Sequence, residues 1–182
     1  GAGRDGQPLW HSTTRFVLDL SCDLQDLGWQ IDVLAPHAPG ALSREVINGV
    51  HVERFRYLWP ERQQTVCYNG GALINLRKNP LNRIKVPFLL AAQLGAVSRR
   101  LLTGRYDLLH SHWILPQGFI GELATLLRPT AHVISVHGGD IFGLRNPAAN
   151  AFKRAALRGA DAVTANSSHT LRAVAEIAPH LN

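Results

Sequence analysis

Short apolar runs alternate along this chain with longer segments whose apolar residues recur every three or four positions, and few folds accept that alternation. "QIDVLAP", "YDLLHSHW", "AHVISVHGGD" and "ADAVTANSS" read as strands. "STTRFVLDLSCDLQDLG" sets Phe16, Leu20, Leu24 and Leu27 on one helical stripe, with Ser12 as N-cap and Gly28 as stop. "VPFLLAAQLGAVSRRLL" reads as a helix with Pro87 in its first turn, and "LPQGFIGELATLL" as one opened by Pro116. "NPAANAFKRAALRG" is capped by Asn146 and closed by Gly159, and "SHTLRAVAEIA" is the last helix. Strands alternating with helices imply parallel pairing through right-handed crossovers, a doubly wound parallel sheet over residues 1–182. "VHVERFRY" reads as an exposed or edge strand, and residues 57–83 as a long excursion with little periodicity.

The loop "GAGRDG" is followed by a helix, but no strand precedes it. In a doubly wound sheet the first strand is central, so the expectation is a sheet lacking its first strand, in a partial sequence. With 46% apolar and 18% charged residues the chain is globular rather than disordered. The formal charge of +6 comes from 16 Arg against 3 Lys, which suits anionic partners. No RNP, KH or helix-turn-helix signature accompanies that charge, so no nucleic acid is expected. Cys22 and Cys67 have no metal spacing and read as reduced, buried thiols, and the opening residues are not apolar. A cytoplasmic setting is therefore expected. The run Val86–Val97 is too short to span a bilayer. Basic residues Arg77, Lys78, Arg83 and Lys85 lie just before it and suggest an anionic membrane surface, at the inner face of the plasma membrane, as a partner.

In a parallel sheet, ligands sit outside the carboxyl ends of the strands. Three strands here end in polar or small residues, "HSHW" at 110–113, "HGGD" at 137–140 and "NSS" at 166–168. Gly138 and Gly139 would let backbone N–H groups approach a substrate closely, with His137 and Asp140 hydrogen-bonding hydroxyls. "HGGD" also fits a tight turn with an Asx bond from Asp140. His110 and His112 have the spacing of metal ligands but lack a third, so no metal is expected. In "NSS", Ser167 or Ser168 reads as a helix cap, which can still aim a helix N-terminus at an anion. There is no G-x-S-x-G elbow and no P-loop.

Taken in order, "DLQDLGWQIDVLAP", "INGVHVERF", "DLLHSHWILPQG", "VISVHGGD" and "GADAVTANSS" resemble the N-terminal domain of retaining GT-B glycosyltransferases of the family-four type. The resemblance covers nearly the whole chain. It implies two Rossmann-like domains facing across a cleft, the N-terminal one on the acceptor side. Its implied reaction is sugar transfer from a nucleotide-sugar donor to a glycan or lipid-linked acceptor, with retention and without a cofactor. By the same resemblance His137 is the histidine that approaches the donor sugar, Asp140 the polar position after it and His112 a cleft-lining position, so His137 and Asp140 are expected to be catalytic. His112, together with Gly138, Gly139, Asn166 and Ser167 from the strand-end reading, is expected to line the substrate site. Gly3 and Gly6 stand where the family has a glycine-rich loop, though not as its usual adjacent pair. The nucleotide-binding C-terminal domain, with its paired-glutamate motif, is absent, so the chain alone is expected to be inactive. The other reading is a stand-alone sugar- or acceptor-binding module, or a subunit of a split transferase.

Overall fold

A computed structural model of the protein describes residues 15–68 and 71–179, so Gly3, Gly6 and the expected Ser12 cap lie outside the described residues. These residues fall into two compact units, one up to Gln93 and one from Leu94 onwards, and the division lies within a helix. Each unit carries its own three-stranded sheet. The architecture is the α/β one that the alternation implies, Rossmann-like in its parallel strands and intervening helices.

In the first unit, α1 (Arg15–Asp26) stops where Gly28 enters the left-handed region at φ +91°. The N–H of Trp29 donates to Leu24 O (3.1 Å) and that of Gly28 to Gln25 O (2.8 Å), a Schellman ending. Strands β1 (Asp32–Pro36), β2 (Arg44–Ile47) and β3 (Val50–Phe55) follow. Their order is β1-β3-β2, with β3 parallel to β1 and antiparallel to β2. Asn48 (φ 50°) and Gly49 (φ 84°) form the two-residue turn between β2 and β3. The expectation of an exposed or edge strand at Val50–Tyr57 is therefore corrected. With neighbours on both sides β3 is central, and Val50 and Val52 are buried.

The excursion after β3 also has more structure than its sequence implies. It holds a 3₁₀ turn at Glu61–Gln63, helix α2 (Ala72–Lys78) and a small core of Tyr57, Val66 and Leu89. Side-chain to backbone bonds hold it in place of an apolar stripe. Val66 N–H donates to Tyr57 Oη (3.0 Å), Asn75 Nδ2 to Val66 O (3.0 Å) and Asn82 Nδ2 to Asn75 O (3.3 Å). Such bonds leave no periodic signature. Helix α3 (Asn82–Thr103) begins before Val86, so Pro87 is interior to it rather than in its first turn. Both cysteines are free and half-buried, and burial pushes the Cys67 thiol up to about 12. No described helix is long and apolar enough to cross a membrane.

The second unit is a run of parallel crossovers. Strands β4 (Leu108–His112), β5 (Ala131–Val136) and β6 (Ala162–Ala165) lie in that order, all parallel. After β4 an irregular turn, Ile114–Gly118, precedes α4 (Phe119–Thr125), so the helix expected from Pro116 starts later. The turn's Leu115 is extended, at φ −125° and ψ 135°. A one-turn helix α5 (Gly139–Gly143) and then α6 (Pro147–Gly159) follow β5, and α7 (Ser168–Ile177) follows β6. Asn146 caps α6 by accepting from Ala149 N (2.8 Å), as expected. The core joins Ile114, Ile134, Val136, Ile141, Ala156, Leu157, Val174 and Ala178. Full burial of each larger side chain stabilises by about 1.5–3 kcal/mol.

Two glycines make opposite tests of this packing. A Cβ on Gly121 in α4 would stand 2.6 Å from the His132 ring and 2.9 Å from Ser111 Oγ, whereas one on Gly95 in α3 meets nothing within 4 Å. Gly121→Ala is expected to lose about 1–3 kcal/mol. Gly95→Ala is expected to gain about 0.5–1 kcal/mol. Urea unfolding of the two variants checks both, and equal effects would refute the packing described.

Candidate functional site

The polar ends of β4, β5 and β6 converge in the second unit. His110 and His112, two apart on β4, share one face of the sheet, with ring centroids 4.5 Å apart. His112 Nδ1 lies 3.1 Å from Nε2 of His137, the residue after β5, and their rings stack at 5.3 Å. One of those two nitrogens carries the proton that the other accepts. Trp113 closes a third side, its ring 5.3 Å from that of His137. The Trp113 backbone sits at φ 72°, a left-handed conformation that costs a non-glycine residue about 1–3 kcal/mol.

What holds this kink is the Asp140 carboxylate. Its Oδ2 accepts from Ile114 N–H (2.7 Å) and its Oδ1 from His137 N–H (3.2 Å). Asp140 is buried. Its two oxygens are thus turned to the backbone at the ends of β4 and β5, and the bond within "HGGD" runs back to the N–H three residues earlier rather than forward two residues as the expected Asx bond would.

Gly138 sits at φ 81°, and a Cβ there would meet only ordinary contacts, so its backbone angle is what requires glycine. Among the described residues, a Cβ on Gly139 would meet nothing within 4 Å. Ser167 is the cap of α7, its Oγ accepting from Thr170 N (3.1 Å). Asn166 accepts from Thr170 Oγ1 (2.9 Å), and its amide reaches His137 O at 3.5 Å. His112, His137, Gly138, Gly139, Asp140 and Asn166 therefore gather at one edge, with Ser167 serving the helix beside it. Among the described residues, no three His, Cys, Asp or Glu side chains form a group that could hold a metal.

With this geometry in hand, a comparison with known families is decisive. Residues 13–179 match the family described as Glycosyl transferase 4-like domain. The chain belongs to that family. None of the curated proteins searched matches it.

Three features of this glycosyl transferase 4-like domain were missed by the sequence reading. One is Lys153 on α6, fully buried, its Nζ donating to Ile141 O (2.8 Å) and Leu144 O (2.5 Å). The signal was present, since Lys153 interrupts the buried stripe of Ala149, Ala156 and Leu157. Another is a relay on the opposite sheet face from His112. His132 Nδ1 donates to Glu122 Oε1 while its Nε2 meets Ser111 Oγ at 2.8 Å. The third is a bridge across the strands, from His110 Nε2 to Ser135 Oγ (2.8 Å) and on to Thr164 Oγ1 (2.7 Å).

Burial, with smaller contributions from His110 and His137, pushes His112 down to about 3. Burial also lowers His110 and His137, with Asp140 acting in the opposite sense on His137. Their surroundings thus favour the neutral form of these three imidazoles. An unfolded chain takes up those protons near the ordinary value of 6.5, so it binds more protons than the folded one from about 6.5 down to about 3. The stabilisation from His112 is complete above that window and is lost as pH falls through it. The urea midpoint is expected to drop between pH 7 and pH 5, and to drop less in His112→Gln. Equal drops in the two proteins would show that His112 is not responsible.

Proposed function

We propose that this domain is the acceptor-side, N-terminal half of a two-domain transferase. The enzyme would move a sugar from a nucleotide-sugar to a glycan or lipid-linked acceptor, with retention and without a cofactor. Family membership supports glycosyl transfer in general. The observation that carries the finer reading is the His112–His137 pair at the carboxyl ends of β4 and β5, beside left-handed Gly138. Glycosyl transfer passes through an oxocarbenium-like state while negative charge grows on the leaving phosphate, so the protein's work is positioning and electrostatics.

In this reading half-buried His137 meets the donor sugar's hydroxyls, and His112 sets which His137 nitrogen carries the proton. Gly138 and Gly139 leave room for the sugar. Asn166 steadies the His137 carbonyl, and Ser167 acts through its cap. Asp140, expected from the resemblance to be catalytic, is assigned instead to positioning, because both its oxygens are taken by backbone N–H groups. The stand-alone binding module remains the alternative that the test separates.

The test uses the full-length protein with a panel of UDP- and GDP-sugars, reading release of the nucleoside diphosphate. His137→Ala is expected to lower kcat by about 100-fold while moving Tm by no more than a few degrees. Parallel losses of activity and Tm would reduce "HGGD" to a structural turn. Donor binding without release by the wild type would favour the binding module.

A second observation bears on where such an enzyme works. Leu81, just before α3, and Ile84 and Phe88 within it are exposed at helical spacing, and Arg77, Lys78, Arg83 and Lys85 lie near them in the sequence. This surface suits an anionic leaflet, each basic residue contributing about 1 kcal/mol near the membrane. In this reading the enzyme works attached to the cytoplasmic face of the plasma membrane. Co-sedimentation with phosphatidylglycerol vesicles is expected, falling with salt and lost in Ile84→Glu. Equal binding to phosphatidylcholine vesicles would remove this partner.

A further inference from the structure

Among the described residues, Asp140 and Lys153 are the only Asp, Glu, Lys or Arg side chains that are buried. They flank the same short segment. Asp140 stands in the first turn of α5 and holds the N–H groups of His137 and Ile114. Lys153 reaches in from α6 and holds the carbonyls of Ile141 and Leu144, at the other end of the segment. Helix α5 is a single turn whose start, Gly138, is in the left-handed region. So short a helix has little stability of its own. Its carbonyls have to be satisfied from outside, and a buried one left without a donor costs about 1–3 kcal/mol.

We propose that Lys153 is a positioning residue for the site, its ammonium clamping the carboxyl end of the His137–Leu144 segment and supplying the counter-charge to Asp140, so that the His137 ring is held against His112. This rests on the reading of His137 as the sugar-facing group, and it extends the site to a residue on a different helix. Lys153 touches no substrate. It acts through α5 and Asp140.

The electrostatics agree with that placement. Burial pushes the Lys153 ammonium below its ordinary value, Asp140 pulls it up, and Arg145 pushes it down. Among the described residues, the groups facing His137 include His112 at the end of β4 and Trp113 just after it, Asp140 on α5 and Asn166 after β6, with His110 of β4 near enough to interact electrostatically. Of these Asp140 is the carboxylate, and it raises the His137 proton affinity. Removing the Lys153 charge leaves that carboxylate less balanced, so His137 should hold its proton to a higher pH.

The test compares full-length wild type, Lys153→Arg and Lys153→Met, following the His137 imidazole nitrogens by NMR through a pH titration, with Tm measured alongside. Lys153→Met is expected to shift the His137 midpoint upward and to weaken its coupling to the His112 ring, and Lys153→Arg to restore both. Nucleoside diphosphate release from the same variants should fall by about tenfold or more in Lys153→Met. The titration needs no turnover, so it judges the clamp even if the transferase reading fails, and His137→Ala judges that reading separately. A folded Lys153→Met with an unchanged His137 titration overturns the proposal. So does failure of both Lys153→Met and Lys153→Gln to fold, because Lys153 would then serve the core and not the site.

Discussion

One carboxylate organises the edge on which the site is built. Parallel strands are tied to each other only as far as their ladder runs, and beyond it their chains turn away toward different helices. Asp140 extends the tie past that point, one oxygen on the backbone after β4 and the other on the backbone after β5. The left-handed Trp113 immediately precedes one of these bonds and the left-handed Gly138 immediately follows the other. Two unfavourable backbone conformations are thus stabilised by one buried group. The charge-assisted bonds involved are about twice as strong as neutral ones. The contact of His112 with His137 is a consequence of that geometry.

The sheet of the second unit has a different polar chemistry on each face. One face carries His110, His112, Ser135 and Thr164, which open toward the strand ends. On the other, Ser111, His132 and Glu122 form a hydroxyl–imidazole–carboxylate relay like those that activate nucleophiles. That relay is sealed. His132 is almost fully buried, and Gly121 of α4 lies so close that even a methyl group would collide with the ring. A satisfied buried network of this kind rigidifies a core, since each member would be costly if left unpaired. Reaction chemistry depends on access as much as on the side chains present, and access separates the two faces here.

In the first unit the same balance between local and distant bonds decides the fold. The Asn48–Gly49 turn makes β2 and β3 a hairpin, and that hairpin places β3 at the centre of its sheet. The excursion that follows is held by tyrosine and asparagine side chains on backbone groups, with a small apolar cluster beneath. Apolar residues at and just before the start of α3, Leu81, Ile84 and Phe88, stay exposed.

The sequence by itself determined the alternation of strands and helices, the parallel pairing in the second unit, the cap at Asn146, a serine cap at Ser167 or Ser168 and the glycine stop at Gly28. Each is a local rule acting within a few residues. It also determined that His112, His137, Gly138, Gly139 and Asp140 lie at strand ends, because strand interiors are apolar and the ends are not. The hairpin was legible too, since Asn-Gly between alternating runs is a strong turn signal, but the edge-strand reading passed over it. Tertiary structure alone decided that β3 is central, that the excursion folds on side-chain bonds, and that Asp140 faces the backbone. It alone brought Lys153 beneath the turn, twelve residues after Ile141 in the chain and 2.8 Å from its carbonyl. Periodicity reports which face of an element is buried, and a buried charge on an apolar face is visible only as an exception to it. What that charge pairs with is set by where another helix comes to rest, and no local pattern encodes that.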